Sequence, residues 1–287
     1  MTAHLDDSQG PVAGHYDRLD PFYRRIWGEH IHHGLWTDPT LAPEVAVRHL
    51  VHQVARDARM TPGCQVCDIG CGYGAPARLW ARHYGAEVVG FTVSRVQHAY
   101  AQQRAKADPT LTYRCRDILE NDLASESVDA VVAVESLTHT DDPASVVREA
   151  ARLLRPGGRL VACVWMAAPA VSPACQALLL DPIREEARLS GLPTATHLHR
   201  WATRAGLRVR QFSDRTAQVR RTWTHVVRRL ARALWTDPAV RRKLLDASAS
   251  DRAFARTVLR IWAAQHLGVL RYGWLVAERR MCSGTPE

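Results

Sequence analysis

Short apolar runs alternate with segments of helical periodicity through the middle of the chain. Val66-Cys67-Asp68-Ile69 forms one run, and comparable runs cover 87–92, 111–115, 128–134 and 160–165. The 128–134 run, Val-Asp-Ala-Val-Val-Ala-Val, is almost wholly apolar, as a central parallel strand is. Between the runs, apolar residues take helical spacing over 75–84, 94–107 and 143–154. Ser94 is placed to cap the second helix, and Arg155-Pro156-Gly157-Gly158 to end the third. Single helices between strands imply right-handed crossovers and ligands at the carboxyl edge of the sheet.

Both flanks read differently. Helical spacing follows Pro21 and stops at Gly28, and Pro43 opens a helix to about residue 59. Beyond 165 the pattern predicts helices over 176–189 and 194–205 and a strand over 206–212. Arginine-rich helices over 219–235, 239–247 and 251–266 precede a last strand over 269–278. The expected fold class is therefore α/β: a Rossmann-like, doubly wound, mostly parallel seven-stranded sheet with helices on both faces and helical lid elements. The expected division is an N-terminal helical lid over 1–60, a core over 61–216, a lid insertion over 217–267, and the final strand and tail over 268–287.

The stretch from Val66 to Gly74 carries the chemistry. Its strand ends in a glycine-rich turn and opens into a helix, whose free N–H groups favour an anion. Glycines there let a ligand lie against bare main chain. A dinucleotide fingerprint is G-x-G-x-x-G, whereas Gly70, Gly72 and Gly74 run G-x-G-x-G behind Asp68. A carboxylate there repels a pyrophosphate and attracts an ammonium. An amino acid joined to a nucleoside satisfies both ends, which points to S-adenosylmethionine.

Composition narrows the setting. With 287 residues the chain can bury one large α/β domain with a cap. No apolar run reaches the roughly 20 residues of a membrane span, and the start, Met1-Thr-Ala-His-Leu-Asp-Asp, is acidic where a signal peptide is basic. A cytoplasmic protein is expected, and seven scattered cysteines read as reduced thiols. Cys64, Cys67 and Cys71 have a metal-like spacing, but strand alternation sends Cys64 and Cys67 to opposite faces. His30, His32 and His33 lack a carboxylate or cysteine partner nearby, so no metal is expected. The net charge of +9 gathers beyond His197, with 19 Arg and Lys against 6 Asp and Glu. Solvated helix faces account for it; an acidic substrate or nucleic acid is the alternative.

Four segments together resemble the class I S-adenosylmethionine-dependent methyltransferases. They are Cys67 to Gly74, Gly90-Phe91-Thr92-Val93-Ser94-Arg95-Val96-Gln97, Glu135-Ser136-Leu137-Thr138-His139 and Leu154-Arg155-Pro156-Gly157-Gly158. The likeness covers about Tyr16 to Trp165. It is strongest to the small-molecule branch of tocopherol, sterol and bacterial natural-product methyltransferases. The lead-in from Ile26 to Gly34 looks most like the tocopherol enzymes, and Arg271-Tyr272-Gly273-Trp274 is similar more weakly. The resemblance implies that Thr92, Ser94 and Gln97 replace the usual second-strand acid at the ribose. It likewise implies Asp117 and Ile118 at the adenine, Glu135 and Ser136 against the methionine moiety, and Tyr16, His33 and Gly34 closing over the cofactor.

Methyl transfer from a sulfonium is an in-line displacement that needs positioning and at most one base. The candidates are His139, whose free pKa lies near neutrality, and Glu135 as a stabiliser of positive charge. No aspartate stands near the end of the fifth strand, so a paired His–Asp base is not expected. Trp36, Trp165 and Trp223 are candidate walls of an acceptor pocket, although core packing also explains tryptophans. The expected reaction is methylation of carbon or oxygen on a small apolar or aromatic natural product. A prenyl-diphosphate C-methyltransferase, a cyclase on the same fold and a nucleic-acid methyltransferase are the alternatives. The last lacks its Asn/Asp-Pro-Pro-aromatic tetrapeptide. The expected partner is a small-molecule acceptor, with no nucleic acid and no membrane span; the chain leaves room for a homodimer.

Overall fold

A computed structural model describes residues 28–236 and 249–281, together with Gly14 and Asp17. The helix expected after Pro21, the one expected over 239–247 and Tyr16 lie outside the described residues. Seven strands form one sheet in the order β3-β2-β1-β4-β5-β7-β6. They are β1 (Gln65–Ile69), β2 (Glu87–Thr92), β3 (Leu111–Cys115), β4 (Val128–Val134), β5 (Leu154–Ala167), β6 (Leu207–Asp214) and β7 (Leu270–Arg279). The first five are parallel, and β7 runs antiparallel to both β5 and β6.

The helices follow from the same periodicities. In chain order they are α1 (Pro43–Asp57), α2 (Ala75–Tyr84), α3 (Arg95–Ala105), α4 (Pro143–Leu153), α5 (Asp181–Glu186), α6 (Ala195–Arg204), α7 (Thr216–Val219), α8 (Arg221–Thr236) and α9 (Ala249–His266). Ser94 caps α3 by accepting from Gln97 N, and Asp142 caps α4 by accepting from Ser145 N. α7, α8 and α9 all leave the sheet between β6 and β7.

The sequence pattern places two elements differently. The helix expected over 176–189 runs from Pro173 to Glu186 instead: an α-helical turn, Pro173–Cys175, and a π-helical turn, Gln176–Leu180, lead without a break into α5. Pro156-Gly157-Gly158 does not precede β5 but lies within it, because β5 begins at Leu154 opposite Val128 and slips register before Ala130. An irregularity of that kind absorbs a proline and a positive-φ glycine that would break a regular strand.

Two apolar layers cover the sheet. Leu50, Val54 and Trp80 from α1 and α2 pack with Cys64 and Cys71 on one face. Cys67 packs with Val146, Val147 and Ala150 of α4 on the other. α8 and α9 share a third cluster with Leu180 and Ile183. Several C-terminal arginines pair locally, Arg229 with Glu44 at 2.7 Å, Arg260 with Glu186 at 2.6 Å and Arg271 with Asp214 at 3.4 Å. No helix of the described residues is long and apolar enough to cross a membrane.

Trp80 is fully buried, and its ring N–H donates to Val51 O at 2.9 Å, tying α2 to α1. Trp80→Ala is expected to cost about 3–5 kcal/mol, read as a lower urea midpoint at unchanged slope. A loss below about 1 kcal/mol would mean that the two helices do not depend on this contact.

Candidate active site

The order β3-β2-β1-β4-β5 reverses direction between β1 and β4, and a crevice opens where crossovers leave to opposite sides. β1 supplies Asp68 and the glycine turn, and β4 supplies Glu135, Ser136 and the short 3₁₀ turn Leu137–His139. A cavity at this place is lined by Asp68, Gly70, Gly72, Thr92, Gln97, Asp117, Ile118, Glu135, Ser136 and His139. Ile31 and His32 also line it.

The three glycines of the turn have different surroundings. A side chain at Gly70 would collide with Ser136, whose hydroxyl donates to Ile69 O at 2.5 Å and fastens the two strand ends together. A Cβ at Gly74 would lie 2.5 Å from the Tyr113 hydroxyl. Protein packing therefore requires Gly70 and Gly74. Gly72 alone of the three has open room, with Ile31 Cδ1 at 3.5 Å from a Cβ position.

Thr92, Ser94 and Gln97 come together as one constellation. Ser94 N donates to Thr92 Oγ1 at 3.2 Å, and the Thr92 hydroxyl donates to Gln97 Oε1 at 2.8 Å. With its carbonyl accepting from Thr92, Gln97 keeps its amide N–H groups to offer. Ser94 does not line the cavity: its hydroxyl donates to Asp17 and accepts from Gln97 N at 3.1 Å. Asp117 lines the cavity while accepting from Leu119 N at 2.8 Å, and Ile118 is buried beside it.

Two of the carboxylates that line this cavity, Asp68 and Glu135, are held in opposite states. Asp68 is 2% exposed, and its Oδ2 has no hydrogen-bond partner. Burial pushes its pKa up to about 7. Glu135 sits at the end of β4 with φ +59°, an unusual conformation for a side-chain-bearing residue. It accepts four hydrogen bonds: His33 N at 2.8 Å, His33 Nδ1 at 2.9 Å, Trp165 Nε1 at 3.0 Å and the Tyr272 hydroxyl at 2.8 Å. Burial alone would raise its pKa, yet the hydrogen bonds from the His33 ring and amide, with the other donors around it, hold it below the usual carboxylate range.

His33 and Gly34 therefore act from behind the wall and do not line it. Gly34 N donates to Thr222 Oγ1 at 3.0 Å, and His33 reaches Trp223 of α8 and Gln265 of α9. Nor do the three tryptophans line this cavity. Trp36 stacks on His225 with centroids 5.5 Å apart, while Trp165 and Trp223 hold Glu135 and His33.

His139 faces the cavity with Nδ1 3.3 Å from Arg188 O. A carbonyl only accepts, so Nδ1 carries the proton and Nε2 is the basic nitrogen. The near-neutral titration expected for it is not what its surroundings produce: burial pushes its pKa down to about 4. Three residues escaped the sequence reading. Tyr272 had only a weak family likeness to recommend it, while Thr222 gave no signal. Gln265, a buried amide one turn beyond the core residue Ile261, was detectable as a polar residue on an apolar stripe.

The cavity thus lies at the switch point of the sheet, with Asp68 from β1 and Glu135 just beyond β4 in its wall. A family model for a methyltransferase domain matches residues 67–162. The 27-O-demethylrifamycin SV methyltransferase of Amycolatopsis mediterranei is 32% identical over 75% of this chain and 79% of that protein. The 2-methyl-6-phytyl-1,4-hydroquinone methyltransferase of Synechocystis is 33% identical over 58% of this chain and 54% of its own. The solved cyclase SpnF superposes with a TM-score of 0.79 at 25% identity, covering 94% of this chain and 95% of that one. The chain belongs to the S-adenosylmethionine-dependent methyltransferases.

The Asp68 carboxyl supplies a test of the cavity's electrostatics. Unfolded, it ionises near 4; folded, it keeps its proton until about pH 7. The native state then binds the extra proton between these values, so this group's contribution to stability falls as pH rises from about 4 to about 7 and is level above. The stability of Asp68→Asn relative to the parent is expected to climb across that window in urea titrations. A pH-independent difference would show that burial does not control Asp68.

Proposed function

We propose that this enzyme binds S-adenosylmethionine in the β1–β4 cavity and methylates an oxygen or carbon of a small, largely apolar or aromatic natural product. The observation that carries the reading is the contrast between the two carboxylates. Asp68 has an oxygen without a partner and suits a ligand group that donates hydrogen bonds, as an ammonium does. Glu135 already accepts four hydrogen bonds and suits a group that brings charge but no N–H, as a sulfonium does. S-Adenosylmethionine carries one of each, and when bound it supplies an electrophilic methyl group.

The other lining groups fit the rest of that molecule. Gln97 offers amide N–H groups to ribose hydroxyls, Asp117 an acceptor to the adenine amine, and Ile118 an apolar face to its ring. Gly72 leaves room beside Ile31 for the main chain to approach the ligand. His139 Nε2 is the group for an acceptor's proton, and a histidine of low pKa remains a free base through neutral pH. Oxygen is the favoured target, because a base at the cavity is needed to deprotonate a hydroxyl. The rifamycin relative named above is an O-demethylrifamycin methyltransferase, consistent with that choice. The proposed partner is a small molecule; a steep salt dependence of nucleic-acid binding would instead revive the alternative.

The direct test is incubation with S-adenosylmethionine and hydroxylated aromatic or polyketide-like acceptors, with mass spectrometry reading a gain of one methyl. Failure of S-adenosylhomocysteine to bind in calorimetry would remove the cofactor assignment itself. His139→Ala is expected to leave that binding intact and to lower turnover about 10²–10⁴-fold. In the parent, the acid limb of the turnover profile is expected near pH 4, because His139 must be unprotonated to act. Unaltered turnover in the variant would take His139 out of the chemistry.

A further inference from the structure

The hydrogen-bond partners of His33 fix its protonation state. Glu135 Oε2 lies 2.9 Å from Nδ1, and an ionised carboxylate only accepts, so Nδ1 carries a hydrogen. Trp223 Nε1–H only donates, and it lies 2.7 Å from His33 Nε2, so Nε2 presents its lone pair. The ring is therefore neutral. Gln265 Nε2 lies 3.0 Å from the same lone pair, which requires the amide to present its NH₂ there. Its carbonyl then points elsewhere, and Gln265 Oε1 is buried without a partner. An orphaned acceptor on a residue 2% exposed costs the fold stability. A leucine would pack among Val258, Ile261 and Ala264 without that cost. The glutamine thus has a use that packing does not explain.

The use lies on the other side of the ring. All four groups that Glu135 accepts from are neutral donors: a backbone N–H, a neutral imidazole, an indole and a phenol. The carboxylate keeps its full negative charge while lining the cavity. A protonated His33 would cancel that charge, and protonation at Nε2 is blocked while Trp223 and Gln265 aim their N–H groups at it. We propose that Trp223 and Gln265, on the two lid helices, are positioning residues that keep His33 neutral and so preserve Glu135 as an uncompensated anion for a sulfonium. The inference rests on the reading that the cavity takes S-adenosylmethionine. It assigns α8 and α9 a part in donor selectivity as well as any part in holding the acceptor.

The test compares S-adenosylmethionine with S-adenosylhomocysteine, which share every donor and acceptor but differ in the sulfonium charge. Calorimetric Kd values for both would be measured on the parent, Gln265→Leu, Trp223→Phe and the double variant. In the double variant His33 can take a second proton against Glu135. The preference for the sulfonium is expected to fall on the order of tenfold, with the homocysteine affinity nearly unchanged. Gln265→Leu alone is expected to shift the preference about threefold while Tm holds or rises, because the orphaned acceptor is gone. Nitrogen-15 NMR of ligand-free protein reads the ring directly: His33 Nε2 should be of unprotonated type in the parent and protonated type in the double variant. Equal losses for both ligands, a large fall in Tm for Gln265→Leu, or a His33 signal unchanged in the double variant would overturn the proposal. A parent protein that binds neither ligand would instead overturn the cofactor reading beneath it.

Discussion

Glu135 is the point on which the architecture converges. A buried carboxylate is tolerated only when its lone pairs are filled, and here they are filled from widely separated parts of the chain. His33 comes from the N-terminal segment, Trp165 from β5 and Tyr272 from β7. Removing any donor leaves the charge less well satisfied at the cavity wall. The same carboxylate therefore fixes where the N-terminal segment crosses the sheet edge, and that segment brings Ile31 and His32 into the wall. The unusual backbone at Glu135 belongs to this arrangement: φ of +59° follows its N–H donating to Cys163 O at 2.8 Å, past the last residue of β4.

The sheet explains why such a hub can exist. β7 lies between β5 and β6 and antiparallel to both, so Tyr272, near the start of β7, pairs with Trp165, near the end of β5. A parallel neighbour would have brought its carboxyl end to the same edge. The reversed strand brings its beginning, together with the lid helices that immediately precede it. That single reversal joins the β1–β4 cavity to α8 and α9 through Tyr272, Trp223 and Gln265.

Local patterns announced most of the fold and half of the site. Strand runs, helix caps and the β1 turn follow from nearest-neighbour chemistry, so Asp68, Gly72, Gln97 and Ile118 were legible where they stand. The limits were long-range. Nothing local reveals that Ser136 and Tyr113 press against Gly70 and Gly74. Nor does the sequence reveal that the indole N–H groups of Trp165 and Trp223 reach Glu135 and His33. His139 looked neutral-titrating because burial cannot be read from its own short turn. Pro156-Gly157-Gly158 looked like a strand boundary because the slip that accommodates it depends on the facing strand.

The two acids also show how one cavity can distinguish two positive charges. Both are buried, so desolvation penalises ionisation in each. What separates them is the number of donors the fold supplies: four for Glu135, while Asp68 keeps one oxygen bare. An acid whose lone pairs the fold has already filled presents its charge whether or not a ligand is present, and it asks for no further hydrogen bond. One held near 7 ionises fully only when a donor arrives, so its charge and its ligand come together. The cavity is thus prepared in advance at one end and completed by binding at the other. An ammonium placed at Glu135 would find no lone pair left to accept from, and a sulfonium at Asp68 would leave the bare oxygen unpaired. For a ligand carrying both an ammonium and a sulfonium, as proposed above, that difference in donor supply would set the orientation.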